Sequence, residues 1–261
     1  MRSEETEAYL LRSTPYGEAD LIAVLFTRRW GRVSVLAKGA RKSRRRFGGV
    51  LDYFHLMRAE VRPAPAGLGR LLGVELLRAL PRLRESVEAY WAGTHVLEVA
   101  RLGTREGDAD EAFFSLLDGV LDALGRGAEP RSLTRVFQVR ALSALGYGLP
   151  LQVCPSCGGG YPGGAAAAGG ALRCPPCAGP GAARIGPGTL ATLRAAQQLP
   201  SRRLGSLRFS ERAEGEGGPL LEAGLTAALG RRPRSLASPA PPSESATAPG
   251  LPDAPRPPGG D

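Results

Sequence analysis

All four cysteines of the chain stand in one pattern, Cys154-Pro155-Ser156-Cys157 followed after sixteen residues by Cys174-Pro175-Pro176-Cys177. A tetrahedral Zn²⁺ needs four thiolates converging at ~2.3 Å on one point. Two residues between ligands let a tight turn aim both sulfurs inward, and a loop of roughly 15–20 residues returns the second pair. The spacing therefore predicts one structural zinc ion held by Cys154, Cys157, Cys174 and Cys177. Four protein thiolates leave no coordination position for water, which argues against catalysis at the metal. Disulfides are not expected, because MRSEETEAYLL places acids where a secretory signal needs cations. A redox dithiol needs one CxxC opening a helix in a βαβ setting, whereas two pairs here bound a glycine-rich loop. Residues 158–173 are mostly Gly and Ala and read as a floppy excursion stapled by the metal. Only Arg173 and Arg184 add charge nearby, so a structural knuckle is expected.

Charge is the second constraint. The chain carries 34 Lys and Arg against 25 Asp and Glu, a formal net charge of +9. Between Asp20 and Asp52 stand Arg28, Arg29, Arg32, Lys38, Arg41, Lys42, Arg44, Arg45 and Arg46 with no acid among them, so one window equals the whole excess. A field of one sign in one place is the footprint of a polyanion partner. A merely solvated charge run is the alternative, but strand-like segments rather than low complexity flank this one. Six of the cations fall between Lys38 and Arg46, beside Gly39, Gly48 and Gly49. Arginines there would bridge phosphates bidentately while the glycines admit close backbone approach. No helix is predicted there for a major groove, so sequence-tolerant binding of single strands is expected, weakening steeply with salt. Stacking needs rings as well. Tyr9, Tyr16, Phe26, Trp30, Phe47, Tyr53 and Phe54 all fall in this half. Most belong in the core by general burial tendency, with Phe47 and Trp30 expected nearer the surface because each abuts a basic residue at a strand end.

Residues 6–80 read as strands: Thr6 to Ser13, Leu21 to Thr27, Arg32 to Ala37, Leu51 to Val61 and Leu68 to Leu77. Arg32 to Ala37 alternates Val33 and Val35 with polar Arg32 and Ser34, the period of a half-buried strand. Five short strands without intervening helices suit a small barrel, and the OB-fold is the natural five-stranded choice. After Leu80 the period becomes 3.6. Leu83, Val87, Tyr90, Trp91, Thr94 and Leu97 line one face of a long helix from Pro81 to Leu102. A second helix follows Asp108 through Phe113, Leu117, Val120 and Leu124, and a third runs from Arg131 to Leu145. Thr189 to Leu199 and Leu220 to Leu229 read as two shorter helices. From Pro233 onward, proline-rich sequence with only Leu236 and Leu251 as large apolar side chains predicts a disordered tail. The expected fold class is α+β multidomain. Residues 1–80 form a five-stranded OB-fold barrel, 81–232 an all-helical domain with the four-cysteine zinc knuckle inserted at 154–177, and 233–261 the tail.

Several classes fall away. No segment reaches the ~18 uncharged apolar residues of a membrane span, and a cytoplasmic, nucleoid-associated protein is expected. There is no Gly-x-x-x-x-Gly-Lys-Ser/Thr phosphate loop. Gly186-Pro187-Gly188-Thr189 follows a proline- and glycine-rich loop rather than a strand, so it reads as helix entry. His55 and His95 have no visible catalytic partner, and Asp108, Asp110 and Glu111 suit a helix N-terminus. No constellation supports an enzyme. A zinc-ribbon RNA- or ribosome-associated protein would use the same basic loop on RNA, and a cysteine-thiolate enzyme would need a reactive thiol.

The run Glu18-Ala19-Asp20-Leu21-Ile22, then Leu25-Phe26-Thr27 with Gly31-Arg32-Val33, then Ala37-Lys38-Gly39-Ala40-Arg41 with Phe47-Gly48 behind it, resembles the N-terminal domain of the RecO family. So do Leu80-Pro81-Arg82-Leu83 and Leu145-Gly146-Tyr147 leading into Cys154 and Cys157. The resemblance covers roughly residues 5–230. It implies an OB-fold joined to a helical domain with a zinc module, in a non-enzymatic recombination mediator. Such proteins bind single- and double-stranded DNA, anneal complementary strands and partner with RecR. Together they help RecA displace single-strand-binding protein. By position, Lys38, Arg41, Lys42, Arg44, Arg45 and Arg46 would touch DNA.

Overall fold

The computed structural model describes residues 2–43, 45–64 and 67–236. Five strands, β1 (Glu4–Tyr16), β2 (Asp20–Thr27), β3 (Gly31–Ala37), β4 (His55–Arg62) and β5 (Gly69–Ala79), close a barrel in the order β1-β2-β3-β5-β4. Every pairing is antiparallel except that of β3 with β5. This is the expected five-stranded OB-type barrel. Along β3 the two-residue period buries Val33, Val35 and Ala37 and turns Arg32, Ser34 and Leu36 outward. Leu10, Leu25, Val35, Met57, Val61 and Leu71 fill the interior. β1 serves both cores: Ala8 and Leu10 face the barrel, whereas Tyr9 and Leu11 face the helical half.

The helical half packs α1 (Val87–Gly103), α2 (Glu111–Gly125), α3 (Pro130–Ala144), α5 (Pro187–Gln198) and α6 (Glu211–Leu229) around one apolar cluster. Pro81 does not open the long helix expected from it. Pro81–Arg84 is a single 3₁₀ turn, and Ser86 caps α1 by accepting the Ala89 N–H. A good N-cap five residues later restarts the helix, which is why one apolar face covers two elements. The cysteine region also departs from the floppy loop expected. It folds as β6 (Ala165–Ala168), β7 (Ala171–Arg173), α4 (Pro175–Ala178) and β8 (Ala183–Ile185), with the sheet ordered β7-β6-β8. Alanine has little strand propensity, but its small side chain lets this sheet lie against α6. At Gly170, φ is +83° and a Cβ would come within 2.8 Å of the Gly224 backbone nitrogen.

Aromatic and polar contacts join barrel to helices. Phe26 meets Phe113 edge-on at 5.8 Å and Phe114 at 5.7 Å, and Tyr9 lies 6.0 Å from Phe114. The Tyr9 hydroxyl donates to Asp118 Oδ1 (2.6 Å), and Arg78 pairs with Asp118 and Asp122. Gly31, at φ +61°, touches the Asp108 carbonyl so closely that a Cβ would stand 1.9 Å from its oxygen. Residues 233–236, assigned to the disordered tail by their sequence, pack on α1. The Ser235 N–H donates to Glu98 (2.8 Å) and its hydroxyl lies 2.9 Å from His95 Nδ1. The remainder of that tail, 237–261, lies outside the described residues.

Candidate nucleic-acid interface and metal centre

The nine clustered cations of the sequence do not form one patch, because β3 separates them. Arg28, Arg29 and Arg32 flank the β2–β3 turn beside the helical half. Arg28 bonds Glu7 (2.7 Å), pairs with Glu111 and lies 4.5 Å over the Phe114 ring. Arg29 pairs with Glu4 at 2.5 Å, and Arg32 Nη1 donates to the Arg101 carbonyl at 3.2 Å. Arg28 and Arg29 through ion pairs, and Arg32 through its bond to α1, help fix the junction.

The other end of β3 opens into the β3–β4 connection, residues 38–54, which carries the free charge. Lys38, Arg41, Lys42, Arg45 and Arg46 are exposed, and among the described residues none makes an ion pair. Arg44 lies outside the described residues. Backbone bonds shape the loop: Gly39 N–H donates to Asp20 Oδ1 (2.7 Å), Arg41 N–H to Ala19 O (2.9 Å) and Val74 N–H to Arg46 O (3.1 Å). Of the nearby acids, Asp20 holds the loop backbone at Gly39 and Asp52 pairs with Arg84, while exposed Glu4 and Glu5 lie on β1 and Glu75 on β5 pairs with Arg58. Among the described residues no carboxylate forms an ion pair with a loop cation, which leaves their charge available to a polyanion.

Phe47 corrects the expected stacking surface. It is 3% exposed and fills the barrel interior beside Leu10 and Val35, anchoring the loop from below while Arg46 lies over its ring at 5.2 Å. Its burial follows from the loop's need for one apolar anchor, a signal hidden by the cations around it. Trp30 is half-buried, with the Arg29 guanidinium 5.4 Å from its ring. The ring left open is Tyr16, 55% exposed at the end of β1 and paired with Asp20, the residue that holds Gly39. Its place just before Gly17, at a turn, was the available sequence signal.

The cysteine cluster comes together as the spacing requires. The four Sγ atoms lie within 4.8 Å of one another, and Cys157 and Cys174 are 3.7 Å apart. Thiolates ~2.3 Å from a tetrahedral centre stand ~3.8 Å from each other, so the donor set fits a metal ion of that geometry. A disulfide would need ~2.05 Å. Each pair sits on a tight turn: Gly158 N–H donates to Cys154 O (2.8 Å), and Cys177 and Ala178 N–H to Cys174 O (3.0 Å each). The backbone N–H of Cys174, then those of Ser156 and Cys157, draw the Cys154 thiol down to about 6. Crowding by the Cys174 and Cys157 sulfurs pushes Cys177 up to about 12. Four thiolates can share this space only with a cation between them. Cys154 and Cys174 are buried, and the Tyr161 hydroxyl donates to Pro150 O (2.7 Å) at the module's base.

An OB-type barrel with a cation-rich loop, joined to a helical domain that carries a four-cysteine cluster, is an architecture that nucleic-acid-binding proteins use. Comparison with known proteins narrows this. Residues 1–80 match the family model for the Recombination protein O N terminal, and residues 84–237 that for its C terminal. The chain is 37% identical over 233 residues to the DNA repair protein RecO of Geobacter sulfurreducens, covering 88% of this chain and 95% of that protein. It is 33% identical over 240 residues to that of Geobacter metallireducens, covering 91% and 97%. Against that of Anaeromyxobacter sp. strain K it is 37% identical over 231 residues, covering 85% and 90%. The chain belongs to the RecO family of DNA repair proteins. Among the described residues no helix is long and apolar enough to cross a membrane.

Proposed function

We propose that the protein is a non-enzymatic recombination mediator. It binds single- and double-stranded DNA through the β3–β4 loop, anneals complementary strands and, with RecR, helps RecA load on DNA coated by single-strand-binding protein. The observation that carries this is the cationic loop of an OB barrel, whose described cations make no ion pair, set at the opposite end of β3 from the ion-paired Arg28 and Arg29. Lys38, Arg41, Lys42, Arg44, Arg45 and Arg46 supply phosphate contacts, and Tyr16 offers a ring on which one base can stack. The metal in the cysteine cluster is Zn²⁺, and its work is structural. It ties the Cys154–Cys157 turn to the Cys174–Cys177 segment that follows β7 and holds no open position at which a substrate could be activated. A location in the cytoplasm, at the nucleoid, goes with this work.

The test is annealing of complementary oligonucleotides coated with single-strand-binding protein, comparing wild type with Arg41→Ala/Lys42→Ala/Arg45→Ala. We expect annealing by wild type, loss of most of it in the variant, and a salt slope of binding flatter by about 2. Wild type that fails to anneal at low salt, and that prefers structured RNA, would favour an RNA-associated protein instead.

A further inference from the structure

A second group of cations, outside the basic loop, lies where the barrel meets the helices. Arg32 points outward from the start of β3, and its Nη1 reaches the carbonyl of Arg101 in the last turn of α1. The end of α6 comes alongside. Leu229 packs against Gly103, and α6 stops at Gly230, which brings Arg231 next to the end of α1. Arg12 is exposed on the outer face of β1, in the row Arg12-Val24-Ser34 that crosses three strands. Arg32 bonds the end of α1, the end of α6 lies against that same end, and Arg12 stands on the neighbouring row of the barrel. Burial first, and then the charges of Arg231, Arg12 and Arg32, hold the Arg101 guanidinium below its ordinary value despite the opposing pull of Glu98.

Two carboxylates stand nearby, offset part of this charge, and are held in place by other donors. Glu98 lies 3.5 Å from Arg101 but also accepts the Ser235 N–H, and Glu106 accepts the backbone N–H of Ser34 at 3.0 Å. Arg12 and Arg231 make no ion pair among the described residues, and the buried Nε of Arg32 has no hydrogen-bond partner among them. Favourable interaction with helix C-termini accounts for arginines at the ends of α1 and α6. It does not account for Arg12 and Arg32, which come from strands. Like charges gathered against their own repulsion are relieved by an anion.

The cluster is also in line with the basic loop. β3 spans about 20 Å between the two. On its outer face the intervening rows are Arg12-Val24-Ser34 and Thr14-Ile22-Leu36-Arg70, with Ile22, Val24 and Leu36 half-buried. Cations at both ends of an apolar strip match a strand whose phosphates are held at the ends and whose bases lie over the middle. We propose that Arg12, Arg32, Arg101 and Arg231 form a second phosphate-binding site, so that single-stranded DNA runs along the outer face of β2 and β3 onto the helical domain. The proposal rests on the DNA-binding reading above and adds to it a site shared by both halves of the molecule.

The experiment measures the salt dependence of binding to a single-stranded oligo-dT of about 30 nucleotides. Four proteins are compared: wild type, Arg12→Ala/Arg231→Ala, the loop variant Arg41→Ala/Lys42→Ala/Arg45→Ala, and Arg202→Ala/Arg203→Ala. The last pair removes equal charge from the exposed turn beside the C-terminal half of α2. Arg12 and Arg231 are exposed, so the junction variant should keep the wild-type melting temperature. The expected result is a slope lower by about 1.4 in the junction variant, at ~0.7 per phosphate contact, with the Arg202/Arg203 variant unchanged. A junction variant with the wild-type slope, beside a loop variant that loses binding, overturns the second site and leaves the loop assignment standing. Equal losses in the junction and Arg202/Arg203 variants overturn it too, because net charge alone then explains the effect. A wild type without salt-dependent binding overturns both readings.

Discussion

Single residues hold the four-cysteine cluster and the docked end of the helical half. Cys154 is buried and backbone N–H groups draw its thiol down to about 6, so Cys154→Ser should remove both a candidate ligand and an inward anchor. We expect bound zinc, measured by elemental analysis, to fall from one per chain to near zero, and the helical half to lose several degrees of melting temperature. DNA affinity at low temperature should change little. His95 behaves differently. It is 2% exposed between Gln138 Nε2 (3.1 Å) and the Ser235 hydroxyl, and burial, with Arg135 adding to it, lowers its pKa to about 4. The unfolded chain takes up this proton below about pH 6.5, whereas the folded one refuses it until about pH 4. Stability is therefore full above pH 6.5 and falls by about 3 kcal/mol as pH drops through that window. In His95→Gln the urea midpoint should lose this part of its acid dependence, and an unchanged pH profile would exclude His95 as the cause.

At the scale of elements, α6 shows tertiary packing overriding propensity. It runs 19 residues through Gly215, Gly217, Gly218 and Pro219, a stretch that any local reading ends. Packing explains the glycines. Gly217 lies against Thr189 and Leu193 of α5, and a Cβ on Gly218 would stand 2.8 Å from the Arg135 guanidinium, which bonds Glu214 and Glu222 on either side. Pro219 is exposed and makes no such contact. Pro219→Ala should restore a helical N–H and raise stability by about 2 kcal/mol, read as a higher denaturation midpoint with an unchanged m-value. The β6–β8 sheet was hidden for a related reason. Four successive alanines carry no period-two signal, and their pairing is imposed by the metal turn and by the approach of Gly170 to α6.

For the whole molecule, the junction decides whether barrel and helices act as one body. Gly31 is the contact that tolerates least change. Alanine there would need φ +61° and would drive its Cβ into the Asp108 carbonyl. Gly31→Ala should destabilise by about 2–4 kcal/mol. Because Phe26, Phe113, Tyr9 and Asp118 meet beside it, the loss should appear as separate unfolding of the barrel, monitored by hydrogen exchange on β1 and β2. Uniform exchange with a single transition would show that the aromatic contacts suffice alone. The same junction sorts the cations, drawing Arg28 and Arg32 into contacts with Glu111 and Arg101 and leaving the β3–β4 loop as the exposed field.

Local patterns in the chain determined the barrel, the helical half and the four-cysteine cluster, because each rests on short-range rules. These are the two-residue strand period, the 3.6-residue helix period and the CxxC turn. The same rules placed charge in the window between Asp20 and Asp52, but they could not divide it. Only the tertiary structure decided which cations are free, because that depends on acids far away in sequence, Glu7 and Glu4 on β1 and Glu111 on α2. It also decided that Phe47 is an anchor and Tyr16 the open ring. It brought Arg12, Arg32, Arg101 and Arg231 together from four separate segments, a proximity set by how the barrel closes on the helices and visible in no stretch of sequence.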